Sequence, residues 1–326
     1  MNEYLWTAAG FVFLILGAEA LIRGSVAIAG RAGVSPLLIG VTIVAYGTSM
    51  PELVVSVEAS LSGNYGIAVG NVVGSNILNV LLILGLTAFL APITVSGRAI
   101  WRDAFFALVA AGLFIWIVLQ RPLHPALGFP EGVLFLALLV AMGLLSFGHE
   151  RGRMAAERSR FIRARSGSVL FDLLLIGVGI GLLIYGADTL VKNAVVIART
   201  NHVSEAVIGL TLVAVGTSLP ELVTAIVAAL RGHSDIALGN VVGSNIYNIL
   251  AILGVASVIG PVSVDPQIVR IDMWVMLAAT VALFVPVLFG NRLGRLYGLL
   301  LLTGYAAYVG YLVQSAGLAD LGLPLR

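Results

Sequence analysis

The chain has 326 residues, 60% of them hydrophobic and only 10% charged, with a mean hydropathy of +1.06. Soluble domains carry about 25% charged residues, so this composition excludes that class and requires a bilayer as solvent. The absence of cysteine removes disulfides, thiolate metal centres and thiol redox chemistry, and a net charge of +2 gives no basic surface for nucleic acid.

Apolar runs long enough to cross a hydrocarbon core predict an all-α polytopic protein of ten spans. They fall at about 5–29, 36–61, 66–91, 99–119, 130–148, 168–198, 204–230, 236–260, 270–289 and 295–314. The N-terminus, Met-Asn-Glu, lacks a basic leader region, so the run from Leu5 reads as a retained span; Ala18-Glu19-Ala20 mimics a cleavage site only weakly. The one long polar stretch, 149–168, carries six arginines, at 151, 153, 158, 160, 163 and 165. By the positive-inside rule it is a cytoplasmic linker, which puts both termini outside. Most other loop arginines agree, whereas Arg121, Lys192, Arg199 and Arg270 fall outside or at that border. The four histidines (His124, His149, His202 and His233) lie in or near expected loops. An intramembrane hydrolase or a His-bound zinc therefore has almost no material, and the chain reads as a non-enzyme.

An internal repeat organises the chain. A shift of 169 residues superimposes GTSMPELV (47–54) on GTSLPELV (216–223) and GNVVGSNILN (70–79) on GNVVGSNIYN (239–248), with 27 identities over the 49 positions 47–95. The expected units are 1–148 and 169–326, five spans each, joined by 149–168. Five is odd, so the two repeats enter the membrane with opposite orientations, a plan shared by many secondary transporters whose site lies at the repeat interface.

The first duplicated motif, Gly47-Thr48-Ser49-Met50-Pro51-Glu52 with Gly216-Thr217-Ser218-Leu219-Pro220-Glu221, sits inside an apolar run. Proline breaks the helix there and frees carbonyl oxygens, and irregular backbone at that depth is tolerated where it is buried or lines a cavity. A glutamate at membrane depth costs roughly 2.5–3.5 kcal/mol on insertion scales unless something pairs with it. Ser-x-x-Glu is also a capping box for the second half-helix, but capping does not explain the recurrence of the device at two equivalent depths. In the second motif, Gly70 with Gly74 and Gly239 with Gly243 allow close backbone approach. Ser75 and Asn79, like Ser244 and Asn248, share a helix face. Interhelical hydrogen bonding is their plainer role, and the adjacent glutamates favour ligation. All these donors are hard oxygens, suited to calcium or sodium. Glu19 with Arg23 and Asp188 with Lys192 are spaced as intrahelical ion pairs, and Glu58 is expected at a solvated helix end.

With these motifs the chain closely resembles the cation/calcium exchanger superfamily, in particular its prokaryotic sodium/calcium exchanger-like members. The resemblance implies broken helices at the midplane, with the first and sixth spans as a sliding gate. It implies metal ligation by Glu52 and Glu221, by Thr48, Ser49, Ser75, Thr217, Ser218, Ser244 and Asn79, and by the carbonyls of Ala45 and Ala214. Asn248 stands where some members carry aspartate, which leaves a pocket charge near −2. The function implied is sodium/calcium antiport across the plasma membrane, with no cofactor and with Ca2+ and Na+ as the transported ions. Proton- or potassium-coupled antiport of calcium or another divalent cation is the alternative. The 149–168 stretch is too short to hold a calcium-sensing domain.

Overall fold

The computed structural model describes residues 2–94, 98–121, 125–161, 168–201, 214–288 and 292–320. In chain order the principal helices are α1 (Asn2–Ala32), α2 (Pro36–Thr48), α3 (Met50–Leu61), α4 (Gly66–Leu90), α5 (Arg98–Leu119) and α6 (Phe129–Phe161). The second half supplies α7 (Val169–Thr200), α8 (Leu219–Leu230), α9 (Ser234–Ile259), α10 (Met273–Ala282) and α11 (Arg295–Asp320). Among the described residues, seven helices are long and apolar enough to cross a membrane, and the bent pair α2–α3 makes an eighth span. The expected span 204–230 lies partly outside the described residues, which pick it up at the short turn Ala214–Gly216 and then α8. The span expected at 270–289 is divided: α10 ends at Ala282 and a further turn covers Val285–Leu288.

Local chemistry sets the helix ends. The Ser35 hydroxyl accepts from the Leu38 amide at 3.2 Å with Pro36 in the first turn, and Ser168 caps α7 by accepting from Leu170 at 3.2 Å. After α3 and α8 the chain turns through repeat-related glycines with positive φ, Gly63 (75°) and Gly232 (79°). There the amides of Asn64 and His233 donate back to the carbonyls of Ala59 and Ala228, each at 2.8 Å. Only glycine takes that backbone conformation without strain. One expected boundary moves. The arginine-rich stretch begins as helix, because α6 runs on from the apolar segment to Phe161. Ala155, Ala156, Glu157 and Arg158 are good helix formers and no proline interrupts them. His149 thus lies on a helix.

The longest packing seam joins α1 to α7, antiparallel. A Cβ added at Gly10 would lie 2.9 Å from the Gly186 carbonyl oxygen, at Gly17 2.8 Å from that of Gly179, and at Gly24 2.7 Å from that of Asp172. The rungs recur every seven residues, the spacing that keeps one helix face on its neighbour, and small residues there let the backbones touch. Arg31 closes the end of the seam with a 2.6 Å ion pair to Asp172. The expected pairs Arg23–Glu19 (2.6 Å) and Lys192–Asp188 (2.9 Å) are present, and Arg231 also reaches Glu19 at 3.0 Å. Glu58 is exposed, as expected.

A second close seam sets α9 on α2. Cβ atoms at Gly239 and Gly243 would lie 2.9 Å and 2.5 Å from the carbonyl oxygens of Leu37 and Val41. The positions that the repeat sets opposite Gly70 and Gly74, 206–214, lie almost wholly outside the described residues. Two short antiparallel strand pairs tie the halves together at their rims: Ile93–Thr94 with Arg292–Leu293, and Ala126–Leu127 with Val262–Ser263.

The α1–α7 seam has a direct test. Gly179→Val is expected to destabilise the protein by ~1–3 kcal/mol, the usual cost of overpacking, because a Cβ there would sit 2.6 Å from the Leu21 amide nitrogen. Denaturation in detergent indistinguishable from wild type would contradict backbone contact at that rung.

Candidate cation-binding site

The site begins at a break. α2 and α3 meet at Ser49 with a bend of 47°, and Pro51 and Pro220 sit in the first turns of α3 and α8. A π-helical turn over Gly40–Val44 loosens the approach from the other side. Glu52 and Glu221 thereby stand in the first turns of their helices, where the exposed amides and the helix dipole favour a carboxylate. Both are 1% exposed.

Ser49 and Ser218 occupy the cap positions, yet neither makes a capping hydrogen bond. The capping-box reading fails for a physical reason: each hydroxyl has a stronger acceptor across the repeat interface. Ser49 donates to Glu221 Oε1 at 2.9 Å, and Ser218 donates to Glu52 Oε1 at 2.8 Å. A hydrogen bond to a carboxylate is worth about 1.5–3 kcal/mol, against roughly 1 for a neutral cap. Each half therefore holds the other half's acid. The Ser244 hydroxyl lies 3.0 Å from that of Ser49. Thr48 donates to Asn240 Oδ1 at 3.0 Å and approaches the Ala45 carbonyl at 3.3 Å. That carbonyl also accepts from the Ser49 amide at 3.0 Å, so it is engaged within its own turn.

Four asparagines that sequence reasoning quoted without assigning a role complete the frame. Asn71 donates to the Glu52 carbonyl oxygen at 3.2 Å, and its mate Asn240 donates to that of Glu221 at 3.3 Å. Asn76 and Asn245 face each other across the interface and bond to the two expected ligands. Asn79 donates to Asn245 Oδ1 and Asn248 donates to Asn76 Oδ1, each at 3.0 Å. Two π-helical turns start at Asn79 and at Asn248, which widens the helix where these amides project. The signal for all four was present: duplicated, deeply apolar segments spend six asparagines on two ten-residue motifs, and polar groups that lipid cannot solvate need partners.

Within this cluster four buried oxygens remain without a hydrogen-bond partner, Glu52 Oε2, Glu221 Oε2, Asn79 Oδ1 and Asn248 Oδ1; elsewhere among the described residues the buried hydroxyls of Ser25, Thr224 and Ser257 are also unpaired. The four cluster oxygens are two repeat-related pairs. A buried acceptor left unpaired costs about 1–3 kcal/mol, more if it is charged, so two repeat-related pairs of them mark this cluster as the candidate for binding positive charge. Among the described residues no three acidic or histidine side chains converge on a metal. The donor set is thus two carboxylates with neutral oxygens, which suits hard cations. Of the other expected ligands, Ser75 and Ser244 are buried, Thr217 is half-buried beside the Glu52 carboxylate, and Ala214 opens the turn Ala214–Gly216.

The chain is similar to known proteins over nearly its whole length. Residues 3–148 and 171–314 match the family described as sodium/calcium exchanger protein. The chain is 38% identical to a putative antiporter, CaxA, of Alkalimonas amylolytica, over 95% of this chain and 98% of that one. It is 33% identical to the sodium/calcium exchanger MaX1 of Methanosarcina acetivorans, over 94% and 97%. The solved structure of the sodium-calcium exchanger NCX_Mj soaked with zero Na+ and Ca2+ superimposes with a TM-score of 0.81 at 30% identity, covering 95% of this chain and 98% of that one. The chain belongs to the sodium/calcium exchanger family, a multi-span membrane protein of the cation/calcium antiporter class.

Ligand binding to the folded state alone stabilises it by about 2.7 kcal/mol at a concentration 100 times Kd. Calcium is therefore expected to raise the melting temperature of the purified protein, and Glu52→Gln and Glu221→Gln are each expected to remove that shift. An undiminished shift in either variant would detach that carboxylate from the cation.

Proposed function

We propose that the protein exports calcium in exchange for sodium by alternating access to one site at the repeat interface. Glu52 and Glu221 carry its charge; Asn79, Asn248, Thr48, Ser49, Ser75, Thr217, Ser218 and Ser244, with the carbonyls of Ala45 and Ala214, complete it. The observation that carries this reading is the set of four unpartnered buried oxygens, two from each half. With both glutamates ionised the pocket bears −2, which one Ca2+ or two Na+ balance equally. That equivalence lets each ion set replace the other without stranding charge in the membrane.

The ten-span plan of two inverted five-helix repeats, with broken helices at the midplane, belongs to the same proposal. It draws support from the 169-residue register and from the reciprocal hydrogen bonds, whose partners are related by that register. Alternation draws support from asymmetry. α1 and, to a lesser extent, α7 pack against α8, whereas α3, its repeat mate, has no comparable packing against either of them among the described residues. Glu19 is 20% exposed beside Arg231, while its mate Asp188 is 52% exposed. Repeat-related halves resting in an unsymmetrical arrangement are compatible with a second arrangement in which the two roles are exchanged. We place the protein in the plasma membrane, with both termini outside and 149–168 cytoplasmic.

Calcium flux into proteoliposomes, driven in turn by sodium, proton and potassium gradients, tests the coupling. Sodium alone is expected to drive it; flux driven only by protons or potassium would replace sodium as the partner ion. Glu52→Ala and Glu221→Ala are each expected to abolish flux in protein that still folds, and near wild-type flux would remove that residue from the site. For orientation, Glu157→Cys in this otherwise cysteine-free chain is expected to resist membrane-impermeant maleimide in sealed cells. Labelling from outside would invert the topology.

A further inference from the structure

The reading above uses Asn79 and Asn248 as oxygen ligands, and an asparagine can present either an oxygen or an NH2. A cation is held by the first and repelled by the second. Which end faces the pocket is therefore a specificity question, and it is decided one layer away from the ions.

The chain of constraints starts at backbone atoms. Asn76 Nδ2 lies 3.3 Å from the Asn245 carbonyl oxygen and 3.7 Å from Met276 Sδ. Both are acceptors only, so this end of Asn76 must be the NH2. Its oxygen then points at the Asn248 side chain 3.0 Å away, where only a donor is tolerated. The Asn248 NH2 is thereby fixed on Asn76, and Asn248 Oδ1 is the atom left buried and unpartnered. The other half repeats the sequence: Asn245 Nδ2 faces the Asn76 carbonyl oxygen at 3.5 Å, and Asn245 Oδ1 accepts from Asn79 at 3.0 Å. Asn79 Oδ1 is likewise left buried and unpartnered. All four amides are 1% exposed, so water does not compete for these bonds.

We propose that Asn76 and Asn245 are positioning residues that lock the Asn248 and Asn79 amides with their oxygens toward the cation. This rests on the site assignment of the previous subsection. Each locks the ligand of the opposite repeat, so each ion-binding half is oriented by its partner. Without Asn76, the Asn248 side chain is free to rotate its NH2 toward the carboxylates, a favourable contact in the empty pocket that calcium must then reverse. The cost falls on binding and not on turnover.

Double-mutant cycles on calcium transport test this. Asn76→Ala is expected to raise the KM for calcium roughly tenfold with maximal flux changed less than twofold, and Asn245→Ala to do the same. Added to Asn248→Ala, Asn76→Ala is expected to have less than a twofold further effect, because the amide it orients is gone. Added to Asn79→Ala, it keeps most of its effect. The reciprocal cycle pairs Asn245 with Asn79. Multiplicative effects in both matched cycles would overturn the positioning role while leaving the site intact. An unchanged calcium KM in Asn248→Ala and Asn79→Ala would instead overturn the ligand assignment itself. If Asn76→Ala fails to accumulate, the cycle of Asn245 with Asn79 decides. If both Asn76→Ala and Asn245→Ala fail while the ligand variants fold, the pair holds the fold and the proposal falls.

Discussion

Two carboxylates buried at membrane depth are the constraint around which this molecule is arranged. Neither Glu52 nor Glu221 has a basic partner among the described residues within hydrogen-bonding distance, and both are sealed from water. The protein answers with dipoles: helix N-termini behind each acid, and one hydroxyl from the opposite half on one oxygen of each. The second oxygen of each carboxylate is left without a hydrogen-bond partner, and in the proposed function a cation completes its solvation.

The reciprocity of these bonds joins fold to function. Ser49 serves Glu221 and Ser218 serves Glu52; Asn79 is tied to Asn245 and Asn248 to Asn76. Neither half makes these bonds alone, so the interface between the halves and the proposed site are one structure. The outer pair α1–α7 obeys a different rule. Its seam brings backbone against glycine at three rungs, with Leu14, Leu21 and Leu183 buried and Phe13 in ring contact with Tyr185. It rests on the core through α2, where Ile180 lies against Gly47, as well as through α8 and the Arg231–Glu19 pair.

Much of this was legible from residues alone. The 169-residue register singled out both glutamates, both serines and the two outer asparagines, and the structure buries all six and bonds each across the two halves. The ion pairs of Glu19 and Asp188 were readable from their i, i+4 spacing. What the register did not reveal was direction across the interface. The Ser-x-x-Glu spacing describes a local cap equally well, and only three dimensions show Ser49 turned to the other half. Likewise Asn76 and Asn245 look like any interhelical amide until their acceptors are seen. The end of α6 was missed because charge was taken to mark a loop, although alanine, glutamate and arginine favour a helix that simply leaves the membrane.

The central claim is that a cation bridges the two bare carboxylate oxygens and the two amide oxygens. Anomalous diffraction from crystals soaked in strontium, a calcium surrogate with a strong signal, tests it most directly. The account expects one dominant peak within about 2.3–2.8 Å of oxygens from Glu52, Glu221 and at least one of Asn79 and Asn248, a range that extends calcium's usual distances slightly for the larger ion. That peak should vanish in Glu52→Gln. A dominant peak bound to residues of one repeat only, or one that persists unchanged in that variant, would contradict a shared site.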